Sequence, residues 1–189
     1  MKKNWGVLAA LTLIAGSVQA SDEVGHWYVN PQFGGAWTDN SRGFDDDFYY
    51  GIGIGRHMSE LLSLELNVTD GDYDGPANTE LGLTTASLDL LLVFYRPRAI
   101  TPFLSLGPGY IDHSFSGGGS DDDGNWMVQA GAGLLIQVFQ NSRKSSALDL
   151  RPEIKLRWDF IDKADTDFFN DYLLGLGFQF SFGRAPAAP

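Results

Sequence analysis

Residues 147–161 alternate in character from Leu148 to Phe160, and this constrains the fold more than any other feature of the chain. Within that stretch one parity is apolar, and the other carries only charged side chains: Asp149, Arg151, Glu153, Lys155, Arg157 and Asp159. Successive side chains of a β-strand point to opposite faces of the sheet. The segment is therefore predicted to be a strand with one apolar face and one charged face.

The same alternation recurs along the chain, with polar or glycine-rich breaks between the segments. We count eight strands, at residues 27–37, 47–56, 62–69, 84–95, 102–111, 126–139, 147–160 and 171–182. Because helical periodicity is not sustained anywhere, the chain is predicted to be all-β, as a sandwich or a barrel. After residue 20, no apolar stretch reaches the roughly 18 residues of a membrane-spanning helix, which excludes a helical membrane protein.

The glycines indicate which face points inward. They share the polar parity in three segments: Gly51, Gly53 and Gly55; Gly131 and Gly133; Gly175 and Gly177. An exposed face gains nothing from glycine, which weakens a strand, whereas a crowded interior needs small residues beside bulky charged ones. Polar residues inside and apolar residues outside are typical of an eight-stranded antiparallel up-and-down transmembrane β-barrel.

The two ends of the chain are set apart from the barrel. Residues 1–20 combine Lys2 and Lys3 with a short apolar run and small residues before a cleavage point, which predicts a secretory signal peptide. The barrel is predicted over 21–182, and 183–189 resembles the start of a Pro/Ala-rich hinge or tail. Removal of the two lysines lowers the formal charge from −11 to −13, which disfavours nucleic acid as a partner.

The connections and the aromatic residues predict an orientation. Aromatic residues sort to strand ends, as expected at the two membrane–water boundaries. The connections at 56–60, 96–100 and 140–146 are short, whereas the others are mostly longer and acidic, including Asp45–Asp47, Asp70–Asp74 and Asp121–Asp123. Short periplasmic turns and longer external loops are the usual asymmetry, so both termini are predicted to be periplasmic, in the bacterial outer membrane.

Several phrases then resemble a known family. They are Trp27–Gly34, Ser63–Asn67, Pro102–Tyr110 and Gly175–Phe182. Together they resemble the N-terminal barrel of OmpA/OprF-type outer-membrane proteins over essentially the whole exported chain. The resemblance implies a structural envelope role, contact with outer-membrane lipids and lipopolysaccharide, and recognition of the terminal aromatic strand by the outer-membrane assembly machinery. It implies peptidoglycan binding only if a further domain follows the hinge.

The candidate site is a network of charges inside the barrel. Its predicted members are Glu65, Asp89, Asp149, Arg151, Glu153, Lys155, Arg157 and Asp159. Since an eight-stranded barrel is only wide enough for side chains to fill, these charges must pair with one another. The sequence favours a permanent polar plug, and leaves open a salt-bridge gate that opens a narrow pore for small solutes.

Other classes of function are weaker. No cysteine is present, and neither Asp121–Gly124 nor Asp70–Asp74 fits a complete calcium motif, so no metal site or cofactor is predicted. A lipid-modifying enzyme would need a Ser–His pair, but His113 and Ser114 are adjacent in a strand and face opposite ways. The prediction is therefore a non-enzymatic protein. An adhesin or receptor acting through the acidic external loops remains an alternative.

Overall fold

A computed structural model describes residues 24–37, 47–74, 80–94, 99–116, 124–141, 145–160 and 169–183. The predicted signal peptide and the tail after Gly183 lie outside these residues. The strands are β1 Trp27–Trp37, β2 Asp47–His57, β3 Leu62–Asp74, β4 Glu80–Val93, β5 Ile100–Ser116, β6 Gly124–Gln140, β7 Ser146–Asp159 and β8 Phe169–Phe182. In the described part of the chain, no helix is long and apolar enough to cross a membrane.

The eight strands form one closed barrel in sequence order. Each strand pairs antiparallel with its neighbours, and β1 closes the sheet against β8 with Trp27 opposite Phe182 and Trp37 opposite Tyr172. Closure pairs the backbone groups of both edge strands, which is what a barrel needs to exist in lipid. The predicted all-β, eight-stranded up-and-down barrel is confirmed.

The barrel has two distinct ends. We call the end that holds Gly25, Gly183 and the turn at 58–61 the terminal end. The opposite end, from which the connections 38–46, 75–79, 117–123 and 161–168 leave, is the loop end; those connections lie outside the described residues. The aromatic side chains predicted for the two belts lie on the outer wall, and Phe48 and Trp126 at the loop end are 73% and 70% exposed.

Several strands are longer than predicted, and β3 and β5 extend furthest beyond their predicted ends. Residues Asp70, Asp72 and Asp74 were expected in an acidic loop, but they continue β3 on its outer face. The reason is that the alternation persists: Gly71 and Tyr73 point inward, and Tyr73 is buried. Likewise β5 extends to Ser116, five residues past its predicted end at 111.

The end of β6 departs from the predicted alternation. Gln137 pairs with Asp149 of β7, but Leu148 pairs with Phe139, so Val138 is an extra residue in the ladder. Such a bulge shifts the parity of the strand from that point onward. Consequently Phe139, which shares the odd parity of the inward Gln129 and Gly133, is exposed on the outer wall beside Val138.

Candidate functional site

The inner face of β7 supplies most of the charge inside the barrel. Its side chains Arg151, Glu153, Lys155, Arg157 and Asp159 are all buried. Glu65 of β3 and Asp89 of β4, on the other side of the lumen, are fully buried as well. Asp149, the remaining predicted member, is half-buried near the terminal end, opposite Gln179 of β8.

Five of these side chains form a continuous series of alternating charges, which we call the interior charge chain. Arg151 Nη1 lies 2.6 Å from Glu65 Oε2, and Arg151 Nη2 lies 3.0 Å from Glu153 Oε2. Lys155 Nζ lies 3.7 Å from Glu153 Oε1 and 3.5 Å from Asp89 Oδ2. The order Glu65, Arg151, Glu153, Lys155, Asp89 gives each cation two carboxylates, as buried charges require.

Neutral side chains satisfy the remaining oxygens of the carboxylates. Gln129 Nε2 donates to both oxygens of Asp89, at 2.9 and 2.8 Å. The Ser105 hydroxyl donates to Glu153 Oε1 at 2.9 Å, and Asn67 Nδ2 donates to Glu65 Oε1 at 3.1 Å. These polar partners were not predicted as members of the network, although each lies on the inward parity of its strand.

Apolar side chains bound the charge chain on the terminal side. Leu91, Val93, Phe103 and Leu135 form a buried cluster there. The Arg151 Cζ atom lies 4.7 Å from the centroid of the Phe103 ring, within the range of a cation–π contact. The guanidinium is therefore enclosed by carboxylates at its two Nη atoms and by an aromatic face.

A larger apolar group fills the lumen at the loop end, and we call it the loop-end apolar layer. Its buried members come from seven of the eight strands: Ala36, Tyr49, Tyr73, Leu81, Leu83, Ile111, Met127 and Leu173. The alternation predicted a charged interior and did not indicate this apolar layer. The interior is instead stratified, with charges between two apolar levels.

Of the eight described strands, the one without a member in this layer is β7, which places ionisable side chains at this level instead. Asp159 Oδ2 lies 3.0 Å from His113 Nε2, and both side chains are buried. Arg157 is the preceding inward residue of β7, and its Nη2 atom donates to Thr69 Oγ1 at 3.3 Å. Ser114 faces away from His113 and is exposed on the outer wall, as the strand geometry predicted.

The glycines create the space that the charged side chains occupy. A Cβ atom added at Gly53 would lie 2.8 Å from the Glu65 carboxyl carbon, and one at Gly131 would lie 2.6 Å from Ser105 Oγ. Real Cβ atoms do not approach other atoms so closely, so a larger residue would displace the ion-pair network. The crowding predicted from the glycine parity is therefore present.

A second polar cluster lies inside the barrel at the terminal end. His57 Nδ1 and Ser63 Oγ are 2.8 Å apart, and the His57 ring stacks on Tyr28 at a centroid distance of 4.9 Å. These contacts were not predicted from the sequence. Their buried position gives them no access to a lipid substrate outside the barrel. Within the described residues, no group of three or more metal-binding side chains is assembled.

Comparisons with known proteins place this geometry among bacterial outer-membrane barrels. The profile of the outer membrane protein β-barrel domain family matches residues 6–182. Outer membrane porin F of Pseudomonas aeruginosa is 25% identical over 199 aligned positions, which cover 100% of this chain and 54% of the porin. The chain thus spans about half the length of that curated relative.

Solved structures show the same fold at lower identity. The Neisserial surface protein A superposes with a TM-score of 0.66 at 20% identity, over 82% of this chain and 97% of that one. The N-terminal β-barrel domain of Pseudomonas aeruginosa OprF superposes with a TM-score of 0.57 at 19% identity, over 84% and 98% of the two chains.

Proposed function

This chain belongs to the outer membrane protein β-barrel domain family, and from that premise we propose that it is a structural protein of the outer membrane whose lumen is closed at rest. Its termini lie in the periplasm, and its acidic connections face the exterior. It contacts lipopolysaccharide and phospholipid along the outer wall. The strand that ends at Phe182 presents an aromatic signal to the assembly machinery.

The filling of the lumen carries the proposal. Passage along the axis is blocked first by the loop-end apolar layer, in which Tyr73 and Leu83 are only 2% exposed. Beyond it, the interior charge chain reaches across the barrel between β7 and the opposite strands β3 and β4. An eight-stranded barrel is just wide enough for such side chains to fill, so no aqueous path is left between them.

A gated pore is the second candidate, because charged side chains lie along the lumen. Opening it would require Arg151 to leave Glu65 at 2.6 Å, which exposes two buried charges. The apolar layer would have to part as well, since an apolar constriction excludes water and ions even when it is not sterically sealed. Two independent barriers favour the plug over the gate.

Recording of currents across planar bilayers tests the closed lumen. We expect the purified wild-type protein to give no conductance above that of the bare bilayer. The double variant Tyr73→Ala/Leu83→Ala thins only the apolar layer, so it is expected to stay closed behind the interior charge chain, as is Leu88→Ala on the outer wall; adding Arg151→Met to the double variant weakens both barriers and is expected to permit conduction. Discrete openings of the wild-type protein would overturn the plug and establish the pore.

The proposed role does not include catalysis. The pair formed by His57 and Ser63 is enclosed, and His113 contacts Asp159 inside the barrel while Ser114 lies outside. We expect lipid A from cells that express the protein to be identical in mass profile to lipid A from cells that do not. A loss or gain of acyl chains that depends on Ser63 would contradict the structural role.

A further inference from the structure

Arg56 occupies an unusual place on the outer wall. In the described part of the chain, it is the basic side chain that faces outward, whereas Arg151, Lys155 and Arg157 face the lumen. It lies next to the end of β2 at the terminal end, and its side chain is half-buried. Its Cζ atom lies 5.6 Å from the centroid of the Trp27 ring, within cation–π range.

Among the described residues, the side chains beside Arg56 on the adjoining strands carry no counter-charge, and the nearest acid along the chain is Glu60, in the exposed turn that follows β2. Its partners on the adjacent strands are Trp27 and Leu64, and Ile54 precedes it on the same face. Asp70, an outward carboxylate on β3, is six residues from Leu64, which is about 20 Å along a strand. Among the described residues, none forms an ion pair with Arg56, and its buried Nε atom has no hydrogen-bond partner.

A guanidinium in this position needs an anion from the surroundings of the barrel. It stays charged in proteins, and an unpaired charge at a membrane-facing site is costly. Trp27, beside it, belongs to the ring of aromatic residues that marks the level of the lipid headgroups. At that level the available anion is the phosphate of a phospholipid, whose oxygens match the two-pronged geometry of a guanidinium.

We propose that Arg56 and Trp27 form a binding site for the phosphate of a phospholipid in the leaflet at the terminal end. The guanidinium binds the phosphate oxygens, and the Trp27 ring holds the guanidinium at the level of the headgroup. The acyl chains of the same lipid lie along Leu64, Leu66 and Val29, which face outward next to the site. The site is separate from the lumen and independent of whether the barrel conducts.

Native mass spectrometry of the purified protein in non-ionic detergent tests the site, with dioleoyl-phosphatidylglycerol as the titrated lipid. The Arg56→Gln variant is expected to weaken binding of the first lipid about tenfold, as for loss of a charge-assisted hydrogen bond. Trp27→Leu keeps the charge and is expected to weaken binding by a smaller factor. A difference in migration between unheated and heated samples on a denaturing gel establishes that each variant is folded.

Two further experiments distinguish a phospholipid site from general attraction of anions and from a site for free phosphate. Arg98→Gln removes the same charge from the connection between β4 and β5 and is expected to leave the first binding step unchanged. An equal loss in Arg56→Gln and Arg98→Gln would mean a general attraction of the anionic lipid to positive charge and would overturn the site. Displacement of the lipid by millimolar inorganic phosphate would identify a free-anion site, which also contradicts the proposal, as would unchanged binding in Arg56→Gln.

Discussion

Replacing Arg151 by methionine tests whether the interior ion pairs are dry and necessary for the fold. The change removes the cation that lies 2.6 Å from Glu65 and 3.0 Å from Glu153. Glu153 keeps Lys155 and the Ser105 hydroxyl, but Glu65 keeps only the amide of Asn67 among the contacts described above. The variant thus leaves one buried carboxylate without a cation.

The expected cost follows from that orphaned charge. Removing one partner of a buried pair typically costs about 3–5 kcal/mol of the free energy of unfolding. With a slope of about 2 kcal/mol per molar urea, the unfolding midpoint should fall by roughly 2 M. The double variant Arg151→Met/Glu65→Gln should recover most of the loss, because replacing a buried pair as a whole is often close to neutral.

Reversible unfolding in lipid vesicles, followed by tryptophan fluorescence, measures these differences. Asp112→Asn is a matched control because Asp112 is exposed on the outer wall of β5, and we expect a change within about 0.5 kcal/mol. If Arg151→Met shifted the midpoint no more than this control, water would be reaching Glu65. The interior would then be hydrated, and the reasoning for a closed plug would fail.

Two further predictions use the same unfolding assay. Gly53→Ala should destabilise the barrel by about 1–3 kcal/mol, because its Cβ would meet the Glu65 carboxyl group, whereas Gly35→Ala on the outer wall should be neutral or slightly stabilising; equal effects at the two glycines would refute the packing argument. His113→Leu should cost about 1–3 kcal/mol, because the buried carboxylate of Asp159 loses its imidazole partner. A midpoint at or above that of the wild type would show that this pair contributes nothing to stability.

Much of the fold could be predicted because alternation is a property of each strand alone. The alternation that recurs along the chain was sufficient to predict eight strands, and the parity of β7 with the glycines of β2, β6 and β8 predicted an inward polar face. The stratification of the interior was not predictable in the same way. Leu81 and Leu83 share the inward parity of β4 with Asp89, but outward Leu88 and Leu90 are equally apolar, so the chemistry of this strand does not distinguish its faces.

The contacts of the site depend on relations between strands. That Arg151 contacts Glu65, 86 residues away, follows from the closed order of the strands and their relative stagger, and neither is encoded in the pattern of a single strand. The acidic segment after Thr69 was wrongly predicted as a loop because runs of Asp and Gly favour turns. Burial of Tyr73 inside the barrel outweighs that local preference.

The interior charge chain also has a mechanical consequence. In the circular order of eight strands, β7 and β3 stand opposite each other, so the contact between Arg151 and Glu65 spans a diameter. The interior charge chain also connects β7 to β4, through Lys155 and Asp89. The barrel wall is thus cross-linked at two places across the lumen. Flattening of the cross-section into an oval would stretch at least one of these two contacts. The barrel should therefore keep a round outline under lateral pressure from the surrounding bilayer, with its stiffness supplied from within.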